Sequence, residues 1–208
     1  MRLTTASLPG IISMTLFVTV IGQARQPEAP SDVTVSLSNS IVATPGTVER
    51  AKQVATAMFA SIGVSLHWRG SGSESQVGLS VDVSLVAGEP GDDEAGPLAE
   101  AYPFAGSTGH ITIRYDRVHN SAGISRDLEP LLLAHVLVHE LTHVLQCLDR
   151  HAESGVMKAH WTAEDYFDMR WKPLAFTSED IDLIRLGMRV LRARAANHAE
   201  PTHLAATR

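Results

Sequence analysis

The sequence is poor in cysteine, in basic residues and in membrane-length apolar runs. Its only cysteine is Cys147, so the chain cannot form an internal disulfide and must depend on its core or on a metal. With 17 Lys and Arg against 23 Asp and Glu, the net charge of −6 argues against nucleic acid as a partner. The apolar stretch over 11–21 is shorter than the roughly 20 residues that a membrane-spanning helix needs. With 44% apolar residues, the chain is typical of a globular domain.

Residues 1–24 have the pattern of a secretory signal peptide. Arg2 precedes the apolar run "LPGIISMTLFVTVIG", and the small residues Gly22 and Ala24 at its end suit signal peptidase. We therefore expect export to the periplasm or the extracellular space, with no membrane attachment after cleavage. Residues 25–208 should form a single domain, with a disordered tail after about Ala195.

The next segment predicts a strand, a helix and a second strand. "VTVSLSNSIV" from Val33 alternates apolar and polar residues, as a half-buried strand does. Apolar residues then recur at steps of three and four between Val48 and Ile62, which predicts a helix capped by Thr47 and ending near Gly63. "VSLHW" begins the second strand at once. This order favours a βαβ unit with parallel strands.

Two further strands and a closing helix complete the predicted fold. The strands cover 76–86 and 110–118, and the segment 87–106 between them is rich in Gly, Pro and acidic residues and predicts a loop. "FTSEDIDLIRLGMRVLRAR" predicts a helix capped by Thr177 or Ser178. Its predicted apolar stripe is formed by Ile181, Ile184, Leu186 and Val190. We expect an α+β fold with an α/β-like opening: a small, mixed, twisted sheet of about four strands, a backing helix, a motif-bearing helix and a C-terminal helix.

The helical segment "PLLLAHVLVHELTHVLQCL", residues 130–148, carries a single ionisable group besides its histidines, Glu140. Its polar residues fall in one stripe of the helical wheel, and leucine and valine cover the rest. The stripe consists of His135, His139, Thr142, His143 and Gln146, with Glu140 beside it. A solvent-facing stripe normally contains Lys, Arg and several Glu, which this one lacks. A carboxylate and imidazoles on so apolar a helix need compensation, and a bound cation supplies it.

His139, Glu140 and His143 form an HExxH motif. Two histidines four residues apart lie on one face of a helix and can reach a single zinc ion. Glu140 lies one residue round the helix, where it can act on a water molecule beside the ion. A catalytic zinc typically has three protein ligands and a water, so the motif requires a third donor.

Four residues are candidates for the third ligand. Cys147 is excluded while the helix stays regular, because it lies about 12 Å along the axis from His139. Asp149 and His151 follow the predicted end of the helix, where the chain can fold back towards the metal. Glu164 lies in "TAEDYFD", farther along the chain.

The motif and its surroundings resemble the metzincin clan of zinc metallopeptidases. In the usual metzincin motif, HExxHxxGxxH or D, the third ligand falls at Asp149 and the helix-ending glycine at Gln146. Without that glycine we expect the helix to run on and the ligand to come later. "HAESGVM", residues 151–157, is similar to the "HSxxGIM" segment of uncharacterised exported bacterial proteins related to metzincins. This resemblance, which extends to 51–68 and 176–185, implies His151 as the third ligand.

The resemblance implies a secreted zinc-dependent endopeptidase that acts on a peptide or protein substrate. One Zn²⁺ would be held by His139, His143 and His151, and Glu140 would be the general base for the zinc-activated water. Met157 would form an apolar floor beneath the metal. The segment "GHITIRYD", 109–116, would be an edge strand that pairs with the substrate.

Two alternatives stay open. A thermolysin-like gluzincin would use Glu164 as the third ligand, in an ExxxD pattern that Asp168 completes. A non-catalytic secreted module would use zinc only to stabilise its fold, although such a site has no need of Glu140. His160 and Tyr166 are minor candidates for stabilising an oxyanion.

Overall fold

The computed structural model describes residues 31–39, 43–70, 79–88, 96–102, 108–123, 125 and 127–199. The predicted signal peptide, 1–24, and residues 200–208 of the predicted tail lie outside the described residues. The elements follow in the order β1 (Ser31–Asn39), α1 (Pro45–Ala60), β2 (Val64–Arg69), β3 (Leu79–Val86), β4 (Ala99–Tyr102), β5 (Thr108–Arg114), α2 (Tyr115–Ala122), α3 (Leu128–Gln146), α4 (Ala163–Asp168) and α5 (Ser178–Ala199).

The opening strand–helix–strand unit is confirmed, and β1 and β2 pair in parallel. α1 begins slightly earlier than predicted because Thr44, not Thr47, is its N-cap. The Oγ1 of Thr44 accepts a hydrogen bond from the backbone N–H of Thr47 at 3.2 Å, and Pro45 occupies the first turn. The buried face of α1 follows the predicted period and consists of Val48, Ala51, Ala55, Met58 and Phe59.

Within the described residues the sheet has five strands in the order β2-β1-β3-β5-β4, and among these β4 alone runs antiparallel to its neighbour. One face of the sheet lies on the core, because alternate residues of the strands are buried. These residues are Val33, Val35 and Leu37 in β1, Val81, Val83 and Leu85 in β3, and Ile111 and Ile113 in β5. The predicted α+β class with a mixed sheet is confirmed, with one strand more than expected.

The additional strand, β4, lies inside the segment 87–106 that predicted a loop. Its sequence, "AEAY", has no β-branched residue, and it becomes a strand by pairing with β5. β4 also corrects the expected edge of the sheet. The predicted edge strand, 109–116, largely coincides with β5, which is internal because β3 and β4 flank it.

The predicted strand over 110–118 is right only in its first half. β5 ends at Arg114, and α2 begins at the next residue. Tyr115, Val118 and Ala122 are buried at helical steps of three and four, and Gly123 ends the helix with a φ of 63°. The residues "YDRV" fit both the two-residue alternation of a strand and the three- to four-residue repeat of a helix. The sequence pattern therefore does not show where β5 ends.

α3 is the central helix of the core. Every residue of α3 from Leu132 to Gln146 is buried, and α1 and α5 pack against it. By length and composition α3 could cross a membrane, but 78% of the relevant window is buried inside the protein, as in the core helix of a globular domain. α5 meets α3 at Gly187, where an added Cβ would lie 2.1 Å from the carbonyl oxygen of Leu145. Only glycine permits this approach.

α5 buries only part of the predicted stripe. Ile184 and Met188 are buried, whereas Leu186 and Val190 are 51% and 38% exposed. Leu186 is two residues, or about 200°, from Ile184 around the helix, so the two cannot share a face. The N-cap is Thr177, one of the two predicted residues.

Candidate metal centre

His139 and His143 lie one turn apart on α3, and their rings approach each other. Nδ1 of His139 donates a hydrogen bond to the carbonyl oxygen of Val156 at 2.9 Å, and Nδ1 of His143 donates to that of Leu148 at 3.0 Å. Because a carbonyl oxygen only accepts, each ring carries its proton on Nδ1 and a lone pair on Nε2. The two Nε2 atoms are 3.1 Å apart.

Two lone pairs at this distance repel each other unless a cation lies beside both. A proton is disfavoured, because burial, together with the neighbouring His143 and His151, lowers the pKa of His139 to about 4. Burial also lowers the pKa of His143. Both rings are therefore neutral at pH 7, the form that binds metals. Nitrogen ligands of a tetrahedral zinc site lie about 3.3 Å apart, so the observed separation fits a shared zinc ion.

His151 completes a group of three imidazoles. The ligand nitrogens of His139, His143 and His151 all lie within 4.8 Å of one another. The ring centroid of His151 is 5.2 Å from that of His139 and 5.0 Å from that of His143. The structure thus brings the three predicted ligands together, and three neutral imidazoles are a donor set that suits zinc.

Asp149 and Glu164, two competing candidates for the third ligand, lie outside the group of three imidazoles. Asp149 is exposed and lines the same cleft as the histidines, but it does not belong to the group of three. Glu164 is an exposed residue of α4 and is not among the residues that line the cleft. The geometry therefore favours His151.

The turn after α3 lies between His143 and His151. α3 ends at Gln146, and Cys147 adopts the left-handed conformation with a φ of 54°. In the usual metzincin motif this task falls to a glycine at the position of Gln146, so the helix runs one residue further here. The backbone N–H of Cys147 then donates to the carbonyl oxygen of Val144 at 3.1 Å and that of Leu148 to His143 at 3.3 Å.

A second turn, residues 154–157, packs beneath His139. The backbone N–H of Val156 donates to the carbonyl oxygen of Ala175 at 2.9 Å, while its own carbonyl oxygen accepts the His139 bond. Gly155 has a φ of 78°, and an added Cβ would lie 2.2 Å from the Ala175 oxygen, so the turn requires glycine. Met157 is fully buried. The turn therefore holds the acceptor that orients His139.

Glu140 is a buried carboxyl group at the same centre, only 8% exposed. Burial raises its pKa to about 7, and the charges of Asp149 and Glu100 add to the shift. A carboxyl group with a pKa near neutrality can both take up and release a proton at physiological pH, as a general base and acid must.

The three histidines and Glu140 lie in a cleft of ≈ 1140 Å³. The cleft is also lined by the segment from Gly96 to Tyr102, which includes all of β4, and by the segment from Lys158 to Trp161 together with Tyr166. Within the described residues β4 is the edge strand of the sheet, so the edge strand lines the candidate metal centre, and the sequence pattern does not reveal this strand. The cleft is larger than most small-molecule pockets, which range over about 300–1,000 Å³.

Two further side chains support the site. His135 is fully buried: its Nδ1 donates to the carbonyl oxygen of Leu131 at 2.7 Å, and its Nε2 accepts from the backbone N–H of Leu174 at 3.0 Å. Trp161 contacts His135 and His139 edge-on, with ring centroids 6.1 Å and 5.7 Å away. The four-residue step from His135 to His139 is visible in the sequence, whereas nothing there indicates the role of Trp161.

The two predicted oxyanion candidates both reach the cleft. His160 and Tyr166 line it, and burial raises the pKa of the half-buried Tyr166 hydroxyl. A protonated phenol of this kind can donate a hydrogen bond at neutral pH.

Comparison with known proteins gives a similarity of architecture. Neither a protein-family model nor a curated protein matches the sequence. Among solved structures, archaemetzincin from Methanopyrus kandleri is similar with 12% sequence identity and a TM-score of 0.49, over 78% of this chain and 98% of the archaemetzincin chain. A similarity of this size assigns no activity, so the function must come from the geometry of the site.

Proposed function

We propose that this protein is a metzincin-like, zinc-dependent endopeptidase. His139, His143 and His151 hold one zinc ion, and Glu140 is the general base. The observation that carries the proposal is the pair of Nε2 lone pairs 3.1 Å apart, beside a third imidazole and a buried carboxyl group. A zinc site that only stabilised the fold would have no use for that carboxyl group, which is costly to bury.

When bound, zinc supplies a Lewis acid that acidifies water and polarises a carbonyl group. Glu140 is then ionised at neutral pH, because a neighbouring cation favours the carboxylate. Its carboxylate takes the proton of the attacking water and afterwards delivers it to the leaving amine. Tyr166 and His160 lie in the same cleft and can donate hydrogen bonds to the carbonyl oxygen of the substrate.

The substrate is a polypeptide bound in an extended conformation. Among the described residues β4 pairs with β5 alone, along one edge, and the residues of β4 line the cleft. A peptide added along the free edge of β4 would receive backbone hydrogen bonds, while the side-chain pockets of the cleft would select the sequence. The volume of the cleft also suits a polypeptide segment.

Zinc content and chelator-sensitive cleavage test the proposal together. The purified protein should contain one zinc per chain by atomic emission, and it should cleave an unfolded protein such as reduced casein. A chelator should abolish the cleavage, and added zinc should restore it. Protein that folds but binds no zinc contradicts the proposal.

The same experiment separates the enzyme from a zinc-stabilised module. A module would contain one zinc per chain and would melt at a lower temperature after chelation, yet it would cleave nothing. The structure gives no support to a gluzincin with Glu164 as ligand. A Glu164→Gln variant should therefore retain the zinc affinity and the turnover of the wild type.

Export with cleavage after Ala24 is part of the proposal. It is supported by the apolar run and small residues of segment 1–24. N-terminal sequencing of the protein recovered from the periplasm or the medium should give Arg25 as the first residue. Recovery of the uncleaved chain in the cytosol would contradict export.

A further inference from the structure

The three imidazoles of the metal centre are held in different ways. His139 and His143 each donate an Nδ1–H bond to a backbone carbonyl oxygen. The ring of His151 is exposed, and no hydrogen bond joins it to another residue in the part of the chain that the structure describes. Its position therefore depends on how the backbone beside it is fixed.

Arg150, the residue before His151, is anchored on the first turn of α5. Its Nη1 donates to Oδ1 of Asp180 at 3.0 Å, and its Nη2 pairs with Glu179. Asp180 is fully buried, whereas the side chain of Arg150 is 26% exposed. A buried carboxylate must keep its partners, so this ion pair fixes where the chain passes after leaving α3.

Asp180 is in turn held by contacts on both sides. Its Oδ2 accepts hydrogen bonds from the backbone N–H of Thr177 at 2.9 Å and from the Thr177 hydroxyl at 2.7 Å. Its carbonyl oxygen lies 3.3 Å from the donating Nε2 of Gln146. Gln146 precedes the left-handed turn and Arg150 follows it, so the two ends of the turn contact the same residue of α5.

We propose that Arg150 is a positioning residue: through its ion pair with Asp180 it holds His151 within reach of the ion that His139 and His143 bind. The inference rests on the proposed function, because it takes the three histidines as ligands. It makes the first turn of α5 part of the metal centre, although α5 contributes no ligand. Groups that orient a ligand typically change metal affinity 10- to 100-fold.

An Arg150→Gln variant tests the inference, because it removes the charge and the two-pronged contact. We expect zinc affinity, measured in competition with a chromogenic chelator, to fall about 10- to 100-fold while the circular dichroism spectrum is unchanged. Arg185→Gln is the matched control. Arg185 is a half-exposed residue of α5 that pairs with Asp182 at 3.7 Å, and its loss should leave the affinity unchanged. Wild-type affinity in Arg150→Gln would overturn the inference.

A double-mutant comparison separates positioning from a general loss of structure. If Arg150 acts through His151, Arg150→Gln should weaken zinc binding little further once His151 is alanine. Equal weakening in both backgrounds would show that Arg150 acts by another route and would reject the inference. Arg150→Lys keeps the charge and one contact, so its affinity should lie between those of Arg150→Gln and the wild type. If Arg150→Gln does not fold, Arg150→Lys is the variant that tests the inference.

The wild type distinguishes failure of this inference from failure of the proposed function. If the wild type binds no zinc, both are wrong. If it binds zinc and cleaves casein while Arg150→Gln binds zinc as tightly, only the positioning role is wrong. Cobalt substitution adds a spectroscopic readout: the strong visible absorption of four-coordinate cobalt should weaken in Arg150→Gln and in His151→Ala, but not in Arg185→Gln.

Discussion

α3 and the segment 147–157 contribute to the same centre by different physical means. On α3, His139 and His143 are 8% and 6% exposed, and the helical repeat sets their separation. In the segment 147–157, His151 is exposed. No helical repeat fixes the backbone there, and individual contacts with other segments hold it instead, such as the close approach of Gly155 to Ala175. The difference predicts that α3 supplies most of the affinity for a cation, whereas the segment 147–157 adds a third donor whose contribution depends on how firmly its backbone is held.

The largest expected effect is the loss of turnover when Glu140, the proposed base on α3, is replaced while the proposed zinc ligands are kept. Glu140→Gln keeps the shape of the side chain but cannot accept a proton, so kcat should fall about 100- to 10,000-fold. Zinc content should stay at one per chain, because Glu140 is not among the three ligands. Measuring kcat and bound zinc on one preparation checks both points. A variant that turns over like the wild type would remove Glu140 from the mechanism.

A direct test compares zinc binding after removal of a proposed ligand on α3, His143, with zinc binding after removal of the proposed ligand in the segment 147–157, His151. His143→Ala should weaken zinc binding more than about 100-fold, beyond the range for residues that only orient a ligand. His151→Ala should weaken it less, because the exposed ring loses more conformational freedom on binding. Competition with a chelator measures both, and His160→Ala is the control for a cleft histidine outside the group. If His151→Ala has the larger effect, α3 does not dominate the affinity.

The pH dependence of the metal-free protein reports on the buried groups of α3. His139 has a pKa of about 4 when folded and 6.5 when unfolded, so stability falls as pH drops from 6.5 to 4. Glu140 has a pKa of about 7 when folded and 4.5 when unfolded, so stability falls as pH rises from 4.5 to 7. Each contribution amounts to about 3 kcal/mol, and the two oppose each other. Burial also lowers the pKa of His143 and of His135, which adds to the loss of stability at low pH.

Glu140→Gln should therefore uncover the histidine contribution. Without its metal, this variant should become more stable by about 3 kcal/mol or more between pH 4 and pH 6.5, as measured by urea unfolding. The wild type should gain less over the same range, because Glu140 opposes the histidines. Identical pH profiles for the two proteins would show that Glu140 does not hold a proton in the folded metal-free state.

The smallest expected effect lies in the turn beneath His139. Gly155→Ala places a methyl group against the Ala175 oxygen at a φ of 78°, which should cost about 1–3 kcal/mol and lower the melting temperature. Gly63→Ala is the control, since Gly63 has a similar φ of 82° but nothing within 4 Å of the added atom. The difference between the two variants measures the crowding alone. Equal losses would mean that the turn tolerates a side chain.

The parts of the site that follow from local periodicity could be predicted from the sequence. The spacing of His139 and His143 on one face is a property of any α-helix, and the apolar composition of 130–148 already places Glu140 among buried residues. The βαβ opening follows from two clear changes of period in the same way. Each of these predictions needs only the residues of one segment.

The parts that depend on contacts between distant segments could not be predicted. β4 is a strand because β5 lies beside it, and its sequence alone does not favour that state. The sequence places His151 after the end of the helix and supports it by resemblance, but it does not show the ion pair of the preceding residue, Arg150, with Asp180, which is 30 residues away. The spacing of Thr177 and Asp180 can be identified in the sequence as a helix cap. The contact through Asp180 and Arg150 that connects this cap to the metal centre cannot.

The glycine at the crossing of α3 and α5 has a consequence for how related chains should be interpreted. A methyl group at Gly187 would meet the Leu145 carbonyl oxygen at 2.1 Å, so α5 would have to move away and take Asp180 with it. A homologue could thus lose the proposed zinc site through one substitution that leaves HExxH and the third histidine intact. Inactive descendants of such a fold should be sought at this crossing as well as within the motif.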